Sequence, residues 1–144
     1  MISATDVRNM FRVETAFPDG IIDDRIDTVE YLLETILGQD YLDLMSTTTV
    51  HPNEAKMVRK AHAYLVMANI MSDRLVVTGF GVVEKTDEYS HPALVDDIEN
   101  VARQYVDTAS ELLHGVNLFP RRKVTEVILK SQKQIEGFFD KKHC

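Results

Sequence analysis

Two copies of the pattern Glu-x-x-His, at residues 88–91 and 111–114, have the residue types and spacing that could bind a metal. Residues three apart share one face of a helix, and di-iron helical bundles place two such copies in their core. The first copy ends directly before Pro92, and a residue before proline is disfavoured in helical geometry. The second ends directly before Gly115. Because both copies lie at the ends of elements, we do not expect a metal-dependent helical-bundle enzyme.

The other residues with chemical potential are isolated in the sequence. Gly79-Phe80-Gly81 lacks the third glycine and the lysine of a phosphate-binding loop. Cys144 is the only cysteine, which excludes an intrachain disulfide and a multi-cysteine metal site. His62 lies in an apolar segment, which favours a hydrogen-bonded core or interface histidine over a metal ligand. We therefore predict no catalytic residue, no cofactor and no metal site, and we expect that the protein is not an enzyme.

The hydrophobic residues recur with a helical period along almost the whole chain. A capping box, Ser3 with Asp6, predicts a first helix over about residues 4–12. A second helix runs to Leu37 and ends at Gly38, which accepts a positive φ. The others are predicted to begin at His51-Pro52, at Pro92 and after Pro120, because proline is tolerated in a first helical turn. The centre of the third helix, residues 61–71, is apolar on nearly every side, which indicates the buried middle of a bundle.

These elements predict an all-α protein, a helical bundle of four to five helices. Valines on both sides of Gly79-Phe80-Gly81 indicate a long loop or a short β-hairpin inserted before the fourth helix, while residues 41–50 are expected to form a loop or a short helical turn. We divide the chain into a bundle domain, residues 1–118, with the insert at about 75–90, and a basic C-terminal amphipathic helix and tail, residues 119–144.

The charge of the chain is unevenly distributed. The net charge is −7, but residues 1–50 alone carry ten acids and three arginines, whereas residues 119–144 carry seven basic and three acidic residues. Opposite charge at the two ends favours head-to-tail contacts between copies; a solvated acidic face and a loose basic tail explain it equally well. An acidic surface argues against a protein that grips nucleic acid. The candidate interface residues are Asp23, Asp27, Glu30, Phe80, Arg121, Arg122 and Lys123.

Targeting and membrane signals are absent from the sequence. Asp6, Arg8 and Arg12 interrupt the first dozen residues, which is unlike a signal peptide. The longest apolar run, residues 63–71, is too short to cross a bilayer. We expect a protein of the cytosol without a membrane partner.

Three segments in a fixed order carry a resemblance to a known family. They are the opening helix Ile2–Phe11, the acidic helix 21–37 followed by the apolar helix 56–71, and the insert Thr78–Ser90. In size and order of elements the chain resembles the head–tail connector proteins, also called adaptor or head completion proteins, of tailed bacteriophages. The resemblance covers about residues 1–118.

The resemblance implies a structural virion protein assembled in the bacterial host cytoplasm. Such proteins form a ring, commonly twelve-fold, that docks on the portal, contacts neighbouring neck or tail proteins and extends the channel. DNA would pass through it without sequence-specific binding. The insert around Phe80 would contact the neighbouring copy or line that channel. A small helical interaction or regulatory protein acting as a dimer is the alternative, and stoichiometry distinguishes the two.

Overall fold

The computed structural model describes residues 2–11, 18–47, 49–73, 75–78, 81–84 and 92–143; for residues 72–98 and 138–143 it describes the backbone alone. The helices in this part of the chain are α1 (Ala4–Phe11), α2 (Asp19–Leu37), α3 (Gln39–Ser46), α4 (Pro52–Asp73), α5 (Pro92–His114) and α6 (Arg121–His143). Two short strands, β1 (Leu75–Thr78) and β2 (Gly81–Glu84), lie between α4 and α5. The all-α class predicted from the sequence is confirmed.

Helix α4 is the centre of the bundle and packs against the five other helices. From Ala61 to Met71 every residue except the half-buried Tyr64 is buried, as its all-round apolar sequence predicted. Burial on all sides requires neighbours on all sides, which α2, α5 and α6 supply with apolar stripes such as Ile22, Leu33, Val106 and Val127. The core is therefore one continuous cluster around a single helix.

Polar side chains join α2, α4 and α6 across this core. Arg25 donates from Nη1 to Oδ1 of Asn69, and Asn69 donates from Nδ2 to Oε1 of Gln134 at 3.3 Å. The ring Nε2 of His62 lies 3.0 Å from the carbonyl oxygen of Ile26 and so donates to it. Buried polar groups are costly unless they are hydrogen-bonded, so these bonds fix how α2 lies on α4.

Helix α1 is capped at its N-terminus and attached to the bundle through its last turn. Asp6 accepts from the backbone N–H of Ser3 at 2.9 Å, which confirms the predicted capping box. Arg8 forms an ion pair of 2.7 Å with Asp19 in the first turn of α2. At its C-terminus Phe11 contacts Tyr64 of α4 and Tyr105 of α5 in an aromatic cluster, with ring centroids 5.1–5.5 Å apart.

The helix count differs from the predicted four to five because residues 39–46 form the separate helix α3. Gly38 ends α2 with a φ of 65°, as predicted, and the next residue already begins α3. Tyr41 and Leu44 are buried on its inner side. Two apolar residues three apart, in a segment of one or two turns, gave too little periodicity to distinguish a helix from a turn.

The strands occupy the position where the sequence predicted either a long loop or a short hairpin. They pair antiparallel, with Val76 opposite Val83 and Thr78 opposite Gly81. Phe80 and the residues that follow the second strand, 85–91, lie outside the described residues. The described part of the insert therefore consists of two paired strands that follow α4 in the chain.

Candidate functional site

The acidic residues of α2 lie on the side of the helix opposite its buried stripe. Asp23 and Asp27 are exposed, whereas Glu30 is half-buried. We call these three the acidic face. Their positions three and four residues apart follow one side of the helix, which places like charges next to one another. The predicted outward orientation holds for the aspartates and only in part for Glu30.

The carboxylates of this face repel one another. Burial raises the pKa of the Glu30 carboxyl, the nearby carboxylates of Glu34 and Asp27 raise it further, and the positive charge of the chain N-terminus opposes them. Burial, Glu30 and Glu34 together raise the pKa of the Tyr41 phenol. Among the described residues no cation lies within ion-pair distance of Asp23, Asp27 or Glu30. Within the described residues, most of this negative charge is left for solvent or for a partner.

The basic triplet, Arg121, Arg122 and Lys123, forms the first turn of α6. The arginines are exposed and Lys123 is half-exposed. The turn contains no acidic residue, although the partial positive charge of a helix N-terminus favours anions and disfavours cations, by about 0.3–1 kcal/mol each. Within the described part of the chain no carboxylate pairs with the triplet. Its placement is unfavourable for the isolated helix.

The structure does not join the acidic face to the basic triplet. The triplet follows the α5–α6 connection, where Leu118 lines a pocket with Asp43 of α3 and His51. The described residues show no hydrogen bond or ion pair between α2 and residues 121–123. The sequence-predicted interface residues therefore form two separate surfaces, and Phe80 lies outside the described residues.

A further charged surface, which the sequence analysis did not identify, lies between α1 and α4. Ile2, Asn9 and Met10 of the N-terminal segment line a groove with Lys56, Arg59 and Lys60 of α4. The three cations are spaced like neighbours on one helix face, and that spacing was the available signal. The sequence could not show that α1 packs alongside them and closes the groove.

One donor atom of Arg59 lacks an acceptor among the described residues. Its Nε atom is buried, and no hydrogen-bond partner for it is found among the described residues. A buried donor without an acceptor costs about 1–3 kcal/mol. Neither Arg59 nor the two lysines has a carboxylate of the described chain within ion-pair distance. Asp6 also lines the groove and accepts from Ser3. The described lining of the groove therefore carries three cations and one carboxylate, and its net charge is positive.

The potential metal and acid–base residues do not converge. No group of three or more His, Cys, Asp or Glu residues that could hold a metal occurs among the described residues. His114 lies at the end of α5 and lines a pocket with Asn117, Phe119 and Arg121, while Glu111 is exposed. The first Glu-x-x-His copy lies outside the described residues. His62 is buried against Ile26, and burial lowers the pKa of its imidazole to about 4.

A model of a family of unknown function, DUF6712, matches residues 16–123. The match includes α2 to α5 and ends at the basic triplet. No curated protein matches the chain, and no solved structure matches it. No helix within the described residues is long and apolar enough to cross a membrane.

Proposed function

We propose that this chain, which belongs to the family of unknown function DUF6712, is a structural virion protein of a tailed bacteriophage. In this proposal it forms a ring at the head–tail junction, docks on the portal and extends the DNA channel. The order of its elements supports the proposal. A short first helix, an acidic helix, a buried helix and an insert occur in the same order as in the connector proteins that the sequence resembles, with the short α3 between the acidic and the buried helix.

The strongest support for the proposal is that two charged surfaces have no counter-ion among the described residues. The acidic face and the basic triplet lie on different elements, and neither has a counter-ion among the described residues. A ring built from one kind of subunit needs two different patches on each copy, because its interfaces are heterologous. Complementary potentials on such patches also steer association and fix its register. The acidic face is our candidate for one patch of the ring, and the basic triplet is our candidate for contact with a neighbour or the portal.

The insert has two possible roles within the ring. Two paired strands, Leu75–Thr78 and Gly81–Glu84, follow the central helix. In this proposal they belong to a hairpin insert, and the segment that includes Phe80 contacts the neighbouring copy or lines the channel. An acidic channel wall would repel the phosphates of DNA and allow passage without sequence-specific binding. The proposal assigns the protein no catalytic role and no cofactor.

The mass of the purified protein tests this proposal, measured alone and mixed with the portal protein encoded nearest its gene. We expect a closed ring, of about twelve copies if it follows the family it resembles, or a stable complex with the symmetry of the portal. A ring subunit can stay monomeric until the portal provides a template, so the mixture is the decisive sample. A compact monomer or dimer that ignores the portal would contradict the proposal and favour a regulatory protein.

A further inference from the structure

The groove between α1 and α4 combines positive charge with an apolar floor. Three cations, Lys56, Arg59 and Lys60, line one side of it. Asp6 is the one acid among the described residues of its lining, and Ile2 and Met10 contribute apolar surface. Met10 is 42% exposed although its side chain is large and apolar. The groove has a volume of about 390 Å³, which leaves room for an aromatic side chain from outside. A partner that fits this surface has acids flanking one large apolar group.

The exposed side of α2 carries that combination. Tyr31 is 72% exposed, the largest exposed fraction among the large hydrophobic side chains of the described residues. Asp27 lies four residues before it and Asp23 eight residues before it, so the three follow one side of the helix. A tyrosine offers an apolar ring and a polar tip, which is the usual chemistry of an interface anchor.

We propose that the groove between α1 and α4 binds the acidic face of α2, with Tyr31 as its anchor, from a second copy of this chain. The inference rests on the proposed ring and names its neighbour contact. The two surfaces match in spacing as well as in charge: the cations of α4 and the acids of α2 both recur every three to four residues, which is about 5–6 Å along a helix. The neighbour's carboxylates pair with the guanidinium of Arg59, for which the described residues supply no carboxylate within ion-pair distance.

The contact differs on its two sides, and this determines the assembly. One copy contributes α1 and α4, and the next contributes α2, so each copy has a free groove and a free acidic face. Repetition of such a heterologous contact gives a ring when the rotation closes. The basic triplet is not part of it and stays available for the portal.

Disulfide trapping between two single-cysteine proteins tests the contact in the full chain. Both proteins carry Cys144→Ser; one adds Asn9→Cys, at an exposed position that lines the groove, and the other adds Thr35→Cys, four residues after Tyr31 on the exposed side of α2. Tyr31 and Met10 stay in place. We expect mixed dimers to form under mild oxidation at least about tenfold faster than with the control pair Leu129→Cys and Thr35→Cys; tenfold corresponds to about 1.4 kcal/mol of preferential contact. Leu129 is 53% exposed on α6, so it is a matched, accessible position outside the groove. Equal rates for the two pairs would overturn the proposal.

Charge reversal shows whether the trapped contact depends on the proposed ion pairs. Arg59→Glu on the groove protein should slow trapping about tenfold, and Asp27→Arg on its partner should restore most of the rate. Far-ultraviolet circular dichroism of each variant confirms that it is folded. Trapping that is unaffected by Arg59→Glu, or is not rescued by the second reversal, would contradict the assignment of these charges.

A protein that carries both cysteines separates this inference from the proposed function. With Asn9→Cys and Thr35→Cys in one chain, a heterologous contact gives a ladder that extends beyond two copies, whereas a symmetric dimer stops at two. A ladder supports both conclusions. A stop at two would retain the groove contact and overturn the ring. A ring detected by mass, without trapping above the control rate, would overturn the groove contact alone.

Discussion

The inner and outer sides of helix α2 belong to two regions of the molecule that differ in how their polar groups are paired. On its inner side Arg25 and the carbonyl oxygen of Ile26 are hydrogen-bonded to Asn69 and His62 of α4. On its outer side the acidic face has no counter-ion among the described residues. Inside, an unpaired polar group would be penalised by its lost hydration; outside, water removes most of that penalty. The inner side therefore determines stability, and the outer side is free to serve assembly.

The largest effect is expected from removing a core side chain of α2. Leu33 is fully buried, so Leu33→Ala removes its apolar contacts and leaves a cavity, at a cost of about 2–5 kcal/mol of unfolding free energy. Urea denaturation measures the loss. Leu129→Ala, at an exposed position on α6, is the control and should change stability by less than about 0.5 kcal/mol. A similar loss for both variants would contradict the assignment of α2 to the core.

The buried histidine predicts a pH dependence of the inner region. Burial lowers the pKa of His62 from 6.5 to about 4, so between these values the unfolded chain binds the proton that the folded chain rejects. Stability therefore falls as the pH is lowered from 6.5 to 4, by about 3 kcal/mol in total at about 1.4 kcal/mol per pH unit.

His62→Gln is the matched variant, because its amide can still donate to Ile26 but does not titrate. Denaturation between pH 7 and pH 4 should give a flatter profile for the variant than for the parent chain. The carboxylates titrate in both proteins, so the difference between the profiles isolates the histidine. Parallel profiles would show that His62 is not buried as a neutral group.

Among the side chains whose hydrogen bonds join α2, α4 and α6, we expect the central one, Asn69, to contribute most to stability. Asn69→Ala leaves the Arg25 guanidinium without that acceptor in a part-buried site, at an expected cost of about 1–3 kcal/mol. Gln134 is exposed, so Gln134→Ala allows water to replace it at Asn69 and should cost less than about 0.5 kcal/mol. Chemical denaturation of both variants checks the ranking, and a reversed order would place the critical bond at the α6 end.

The smallest effect on stability, and the opposite sign, is expected at the basic triplet. Reversing Arg121, Arg122 and Lys123 to glutamate places acids at a helix N-terminus, which should stabilise the fold by about 1 kcal/mol. The same variant should lose docking on the portal or on a neighbour, measured by the mass of the mixture. Lys133→Glu, farther along α6, should leave both properties unchanged. Intact assembly by the triple variant would remove the triplet from the proposed contacts.

The sequence predicted the parts of the fold that depend on local pattern. The stripe of α2, the buried centre of α4, the Ser3–Asp6 capping box and the stop at Gly38 follow from spacing within one element. Features that depend on packing were missed. The partial burial of Glu30 and the groove beside Lys56 require knowledge of which helix lies next to which, and a single helix period does not contain that information.

The attachment of α1 gives the groove a thermodynamic property of its own. An isolated helix of eight residues is not stable in water, so α1 depends on the Arg8–Asp19 pair and on the packing of Phe11 against Tyr64 and Tyr105. One wall of the groove therefore exists only while this local folding unit is closed. Opening of α1 and loss of the groove are therefore the same equilibrium. Amide hydrogen exchange of residues 7–11 would measure how often α1 opens and the groove is lost.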